Sequence, residues 1–199
     1  MGTKDFFNNM ADTWDELNHY PIEQIEKMLD MIGIKNGETV LDAGTGTGVL
    51  LPLLIKRTAA GNITAIDFAE KMIEKAKNKP EVQQVHFITA DVQRYPFAAG
   101  AFNHIICYSA FPHFRNKHAA VEQFSAALKM GGMLSILHSS SREEINKTHS
   151  RILLRGINSD YLLPVRKYLP LLNRNGLFAE HIIDNNEMFM LCARKLPQG

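Results

Sequence analysis

Three carboxylates and three glycines are the residues of this chain most suited to chemistry. Asp42 precedes Gly44, Gly46 and Gly48 in the run VLDAGTGTGVL, residues 40–50. Asp67 and Asp91 each follow a short apolar run, as Asp42 does. Alternating glycines permit unusual dihedrals and let a ligand approach bare main chain. Where such a turn feeds a helix, unpaired N–H groups and a partial positive charge favour an anionic group. A carboxylate has the opposite use: it accepts from hydroxyl, amino or ammonium groups. Asp42 beside the turn therefore points to a ligand of mixed charge.

These residues act together only if the fold gathers them. Short apolar runs at 39–41, 63–66, 85–89, 103–108 and 133–137 read as strands. Between them, 49–58, 69–78 and 116–129 read as helices, with Pro52 in the first turn of one and Pro80 stopping another. Gly131-Gly132 reads as the turn into the fifth strand. Upstream, Pro21 opens a helix over 22–31 that Gly33 ends. Before it, Phe6, Phe7, Met10, Trp14 and Leu17 fall at helical spacing. That arm, residues 1–20, either covers one edge of the domain or closes over the ligand. Residues 139–160 are polar and carry no clear period, and 161–174 look helical but broken at Pro164 and Pro170. Residues 178–183 and 188–193, joined at Asn185-Asn186, read as an antiparallel hairpin.

This alternation predicts a single α/β domain over 1–199, a mostly parallel sheet with helices on both faces. In such sheets the ligand lies beyond the carboxyl ends of the strands, where strand order reverses. The residues expected there are Asp42, Asp67, Asp91, Tyr108 and His138. Residues 37–140 form the ligand-binding core, and 139–175 the segment on its far side.

Composition narrows the classes of function. The chain has 199 residues, 45% hydrophobic and 22% charged, with net charge +1. No basic run suggests nucleic acid, and no apolar run approaches the roughly 20 residues that span a bilayer. The first ten residues lack the apolar stretch of a signal peptide. Cys107 and Cys192 lie in strand-like runs and read as buried small hydrophobes, so a cytoplasmic location is the default expectation. Nothing here sets an oligomeric state.

Two ligands compete for the turn. A dinucleotide fingerprint reads G-x-G-x-x-G, and counting from Gly44 its third glycine falls on Val49. Asp42 would also oppose a pyrophosphate. S-adenosylmethionine carries an ammonium, a sulfonium and one carboxylate, and suits both features. Asp67 can accept from both ribose hydroxyls, which serves NAD equally. Asp91 can accept from an adenine amino group, and Phe68 and Met72 can sandwich the ring.

VLDAGTGTG at 40–48, ITAIDFAEKMIEKAK at 63–77, FITADVQRYPF at 87–97, AFNHIICYSAFPHF at 101–114 and ALKMGGMLSILHSS at 127–140 come in one order. In that order they resemble the class I S-adenosylmethionine-dependent methyltransferases. The resemblance implies a Rossmann-like seven-stranded sheet whose last strand is antiparallel. It assigns Asp42, Gly44, Thr45, Gly46 and Gly48 to the methionine part and Asp67 to the ribose. Phe68, Met72, Asp91 and Val92 fall around the adenine, and Tyr108 beneath the sulfonium. The family's usual acidic residue at the start of the fourth strand is replaced by Asn103 and then His104, a position read as structural. The arm FFNNMADTWDEL resembles the start of methyltransferases acting on small molecules such as quinone precursors. The expected function is methyl transfer to a small-molecule acceptor. An NAD(P)-dependent oxidoreductase and a non-catalytic S-adenosylmethionine-binding protein are the alternatives.

His113 and His138 are the candidate catalytic residues, since strand-end geometry lets them flank the methyl group and a neutral imidazole can take a proton. Alignment alone can carry much of the rate, so a base is optional. A metal cluster of His113, His138 and His149 is conceivable, but nothing fixes their spacing and no metal is expected. Ser139, Ser140 and Ser141 read as caps of a helix over 142–146. Arg142, Arg151 and Arg155, and the lysines of 69–79, read as solvated charges. Two strand-buried thiols argue against a metalloid acceptor.

Overall fold

A computed structural model describes residues 2–153 and 160–197, except the side chains of 151–153. Seven strands form one sheet: β1 (Val40–Ala43), β2 (Ile63–Asp67), β3 (His86–Thr89), β4 (Phe102–Tyr108), β5 (Leu128–His138), β6 (Leu177–Asp184) and β7 (Phe189–Lys195). Their order is β3-β2-β1-β4-β5-β7-β6. The pairs from β3 to β5 are parallel, and β7 runs antiparallel between β5 and β6. Order reverses between β1 and β4, so the carboxyl ends of these strands open the crevice where a ligand is expected.

The period-two pattern of the strands supplies two cores. Leu41, Ala43, Ile66 and Ile105 pack on one face with Phe111, Phe124 and Leu172. Val40, Ala65 and Ile106 pack on the other with Ile25, Leu29 and Leu54. Each buried Leu, Ile, Val or Phe among them contributes about 1.5–3 kcal/mol by leaving water. The covering helices are α3 (Ile22–Ile32), α4 (Leu51–Ile55) and α5 (Glu70–Lys77) on one side, with α6 (Lys117–Ala127) and α8 (Leu169–Arg174) on the other. Of the two arm helices, α1 (Thr3–Met10) lies against α5, and α2 (Trp14–Leu17) packs Trp14 on the cluster of Ala11, Ala69 and Met72. The polar stretch after β5 holds α7 (Arg142–Leu153). Its start is capped as expected, with Ser141 Oγ accepting from the Glu144 N–H at 3.2 Å.

Four local expectations are corrected. Instead of a helix over 49–58, α4 covers only five residues, because the glycine turn continues to Leu50. Pro52 does sit in its first turn. Gly131-Gly132 is not a turn between helix and strand: β5 begins at Leu128, paired with Phe102, and the glycines sit at a register shift against β4. A Cβ on Gly132 would come within 2.9 Å of the Asn103 and Lys129 carbonyl oxygens, so close backbone approach explains that glycine. Within 161–174 only Leu169–Arg174 is α-helical. The lysines of α5 and the residues after it are not all simply solvated: Lys75 pairs with Asp12 at 2.7 Å and Lys79 with Asp15 at 3.1 Å, both acids of the arm.

Asn103 justifies its structural reading. Its Oδ1 accepts from Thr39 N at 3.0 Å, Thr39 Oγ1 at 2.9 Å and Lys129 Nζ at 2.8 Å. An amide oxygen does there the accepting that a carboxylate would do.

Candidate cofactor and acceptor site

The three glycines of the turn do three different things. Gly44 has φ +79°, and a Cβ there would lie 2.5 Å from Ala110 Cβ, so the turn is pressed onto the loop after β4. Gly48 has φ +81°, and its Cβ would meet Leu51 and Ala76, so it seats α4 against α5. Gly46 has φ +53°, but a Cβ there would meet no atom within 4 Å. Open space therefore lies over the middle of the turn. The N–H groups of Gly44 and Thr45 both donate to the Ile66 carbonyl, at 2.9 and 3.0 Å, tying the turn to β2.

Asp67 stands beside that space. Its Oδ2 accepts from Gly46 N and its Oδ1 from Ala69 N, each at 2.9 Å. Each oxygen keeps a further lone pair for a ligand. Burial pushes its carboxyl up to about 6, outweighing those backbone bonds. Asp42 is only 2% exposed and accepts from Thr45 Oγ1 at 2.6 Å. Burial, with the nearby Asp67 charge, raises it to about 7. Asp91 binds its own loop, accepting from Gln93 N at 2.9 Å and Gln93 Nε2 at 2.7 Å.

A cleft of about 660 Å³ opens beyond these strand ends. Gly44, Thr45, Gly46, Asp67, Phe68, Met72, Asp91 and Val92 line one half, and Tyr108, His113 and His138 line the other. Of the residues expected at the site, Asp42 and Gly48 stand behind the wall rather than on it. Asp42 reaches the cleft through Thr45. The arm forms the cover: Thr3, Phe7 and Trp14 line the cleft. The Phe7 ring lies 5.9 Å from Phe68 and 5.2 Å from His113, touching both halves. Asp15 accepts from the hydroxyl of Thr47, within the turn itself.

The imidazoles of the far half are held neutral, beside Arg115 and Glu144 on the cleft lining. Burial lowers His113 and His138 to about 3, with neighbouring imidazoles adding to the effect. His113 Nδ1 and His138 Nε2 are sealed without a hydrogen-bond partner among the described residues. Tyr108 Oη and Ser139 Oγ are 2.6 Å apart, and burial pushes the phenol up. His149, on α7, also lines the cleft, its ring 5.1 Å from that of His113. Among the described residues, no group of three or more His, Cys, Asp or Glu could hold a metal ion. Both cysteines are buried, and burial pushes their thiols up. Arg142 is engaged with Asp184 at 3.2 Å, whereas Arg155 and the side chain of Arg151 lie outside the described residues.

Sequence reasoning missed Thr3, Ser139 and Phe114 as lining residues. Ser139 carried a signal, since it follows His138 at a strand end. Thr3 carried none, because its place depends on how the arm folds back.

Residues 40–132 match the model of a family described as a methyltransferase domain. Curated relatives include the demethylmenaquinone methyltransferases of Thermus thermophilus, 29% identical over 138 residues, and Staphylococcus aureus, 28% over 142. These matches cover 66% and 67% of this chain, and the chain spans 63% and 58% of those proteins. A chain from the complex between the Haloferax volcanii Trm112 methyltransferase activator and a methyltransferase superposes with TM-score 0.81 at 19% identity, over 99% of each chain. A SAM-dependent methyltransferase from Aquifex aeolicus gives 0.72 at 21% identity, over 95% of this chain and 98% of that one. At these identities the structures speak for the fold. The methyltransferase-domain match covers 40–132, and the strand order of this chain agrees with the fold of those structures. Among the described residues, no helix is long and apolar enough to cross a membrane.

Proposed function

We propose that this protein transfers a methyl group from S-adenosylmethionine to a small-molecule acceptor. The observation that carries the reading is Asp67, sealed beside the bare Gly46 backbone with one lone pair free on each oxygen. That arrangement suits a pair of ribose hydroxyls, and the space over Gly46 suits the chain that extends from them. When bound, S-adenosylmethionine supplies a methyl group activated by its sulfonium. Asp67 orients the ribose. Thr45, backed by Asp42, receives the amino-acid end. Phe68, Met72, Val92 and Asp91 enclose the base. Tyr108, His113 and His138 form the wall that an acceptor meets. Phe7 and Trp14 exclude water, which favours transfer by alignment in a dry site. The relatives' names, demethylmenaquinone methyltransferase, support a small conjugated acceptor.

Calorimetry tests the reading. S-adenosylhomocysteine should bind at a 1:1 ratio, and NAD and NADP should not. Binding of NAD without S-adenosylhomocysteine sinks it.

A further inference from the structure

His149 differs from the other two imidazoles of the cleft in one respect: the backbone fixes its tautomer. Its Nδ1 lies 3.0 Å from the Asp160 carbonyl oxygen. A carbonyl only accepts, so Nδ1 carries the proton and a neutral ring leaves a bare lone pair on Nε2. Asp160 is itself held in place. Its N–H donates to the Pro112 carbonyl at 3.1 Å, and its carboxylate pairs with Lys117 at 2.5 Å. The ring is 6% exposed, lines the cleft, and its Nε2 has no hydrogen-bond partner among the described residues. His113 and His138 are arranged the other way. Each seals one nitrogen without a partner. A bare lone pair is cheaper to leave there than an orphaned N–H. That puts the protons of these two rings on His113 Nε2 and His138 Nδ1, which makes those atoms donors.

We infer that His149 Nε2 is the catalytic base of the acceptor site, taking the proton of a hydroxyl carried on an aromatic ring, while His113 and His138 donate to the acceptor's oxygen. The inference rests on the methyltransferase reading and adds a residue and an acceptor class to it. The aromatic surroundings of the cleft, Phe7, Trp14 and Phe114, suit a flat apolar acceptor. Burial holds His149 below the ordinary imidazole range, so it is a weak base and is matched to an acidic phenol rather than an alcohol. The balance is one proton released per methyl. The O–H bond breaks and its proton goes to Nε2. The electron pair left on the acceptor forms the new bond to the methyl carbon. The pair of the broken C–S bond stays on sulfur, and the imidazolium returns its proton to solvent.

The test uses the full chain with S-adenosylhomocysteine and 1-naphthol as the probe. Long-range proton–nitrogen spectra of the imidazoles should show a ring with Nδ1 protonated and Nε2 bare, lost in His149→Gln. Adding 1-naphthol should move that Nε2 signal toward the protonated position. An Nε2-protonated His149, or a signal that ignores 1-naphthol, overturns the inference. With S-adenosylmethionine, the wild type should methylate 1-naphthol, and His149→Ala should lower kcat by about 10²–10⁴-fold, partly restored by added imidazole. Unchanged kcat in the variant, or no methylation of 1-naphthol by the wild type, also overturns it. Calorimetry separates this failure from the larger one. If S-adenosylhomocysteine does not bind the wild type, the methyltransferase reading itself falls.

Discussion

The two halves of the cleft are built on opposite principles. The half proposed for the cofactor is built of backbone and carboxylates: Asp67 is held by two amides, and Asp42 by the hydroxyl of Thr45. The half proposed for the acceptor combines imidazoles and a phenol from β4, the turn after it, β5 and α7 with Arg115 and Glu144. The first half stores charge, with carboxyls that burial pushes up to about 6 and 7. The second keeps its buried imidazoles His113 and His138 neutral, lowered to about 3. A ligand that is cationic and rich in hydroxyls suits the first, and a neutral ring suits the second.

The largest way to break this contrast is at Gly44. Gly44→Val combines a left-handed backbone with a direct clash on Ala110, and should cost about 2–5 kcal/mol of stability together with cofactor binding. Thermal melting and calorimetry read both losses. Gly46→Ala shares the positive φ but meets no atom, so only the strain of about 1–2 kcal/mol remains. Equal losses in the two variants would mean that the contact with Ala110 plays no part in seating the turn.

That difference between glycines also marks what was legible in the sequence. The ordered strands, the turn and the three acids are local features, written in a few consecutive residues. From them follow the sheet, its antiparallel hairpin and the gathering of Asp67, Asp91 and the glycine turn at one cleft. Which glycine faces open space was not legible, because it depends on Ala110 and Ala76, far along the chain. The extension of β5 through Gly131-Gly132 was hidden for a similar reason: a glycine pair signals a turn unless a neighbouring strand presses on it. The acceptor half was legible only in part. His113 and His138 follow strands, but His149 belongs to a polar helix whose register against the cleft is set by Asp160.

Asp67→Ala should weaken S-adenosylhomocysteine binding by about 1–3 kcal/mol, since it removes a buried acceptor of two ligand hydroxyls. His138→Gln, in the other half, should leave that affinity within a factor of about two of the wild type. An Asp67→Ala protein with unchanged affinity would remove the residue from the site, and with it the contrast.

The pH dependence of binding sharpens the same point. Hydroxyl donors on the ligand favour ionised Asp67, and its ammonium favours ionised Asp42 behind Thr45; their carboxyls are raised to about 6 and about 7. Affinity for S-adenosylhomocysteine should therefore rise with pH through that window. The free protein should respond in the opposite sense. Its native state holds protons on these acids at pH values where unfolded aspartate, near 3.9, has lost them. Their contribution to stability is thus present below about 4 and lost as pH rises through the native values. The buried histidines work against this at lower pH, because the unfolded chain binds their protons first. Their contribution is present above about 6.5 and fades as pH falls toward 3. Asp67→Asn isolates the acid part: its melting temperature should decline less than that of the wild type between about pH 4 and 7. A parallel pair of curves would show that Asp67 is not the titrating group.

The smallest expected effect concerns the cover that spans both halves. The arm is attached in two ways. Phe7 and Trp14 pack against Phe68 and Met72, while Lys75–Asp12, Lys79–Asp15 and Lys4–Glu70 tie it to α5 and the residues following it. These ion pairs are exposed and weaken as salt shortens the screening length from roughly 10 Å at 0.1 M to about 3 Å at 1 M. The hydrogen bonds of Asp67 and Asp42 are buried and feel little of this. Trp14 is the single tryptophan and lines the cleft, so its fluorescence reports the arm alone. Rising salt should shift its emission toward the exposed value while circular dichroism stays constant, and S-adenosylhomocysteine should reverse the shift. If emission ignores both salt and ligand, the arm is a fixed wall. Access to the acceptor half would then have to run past α7 instead.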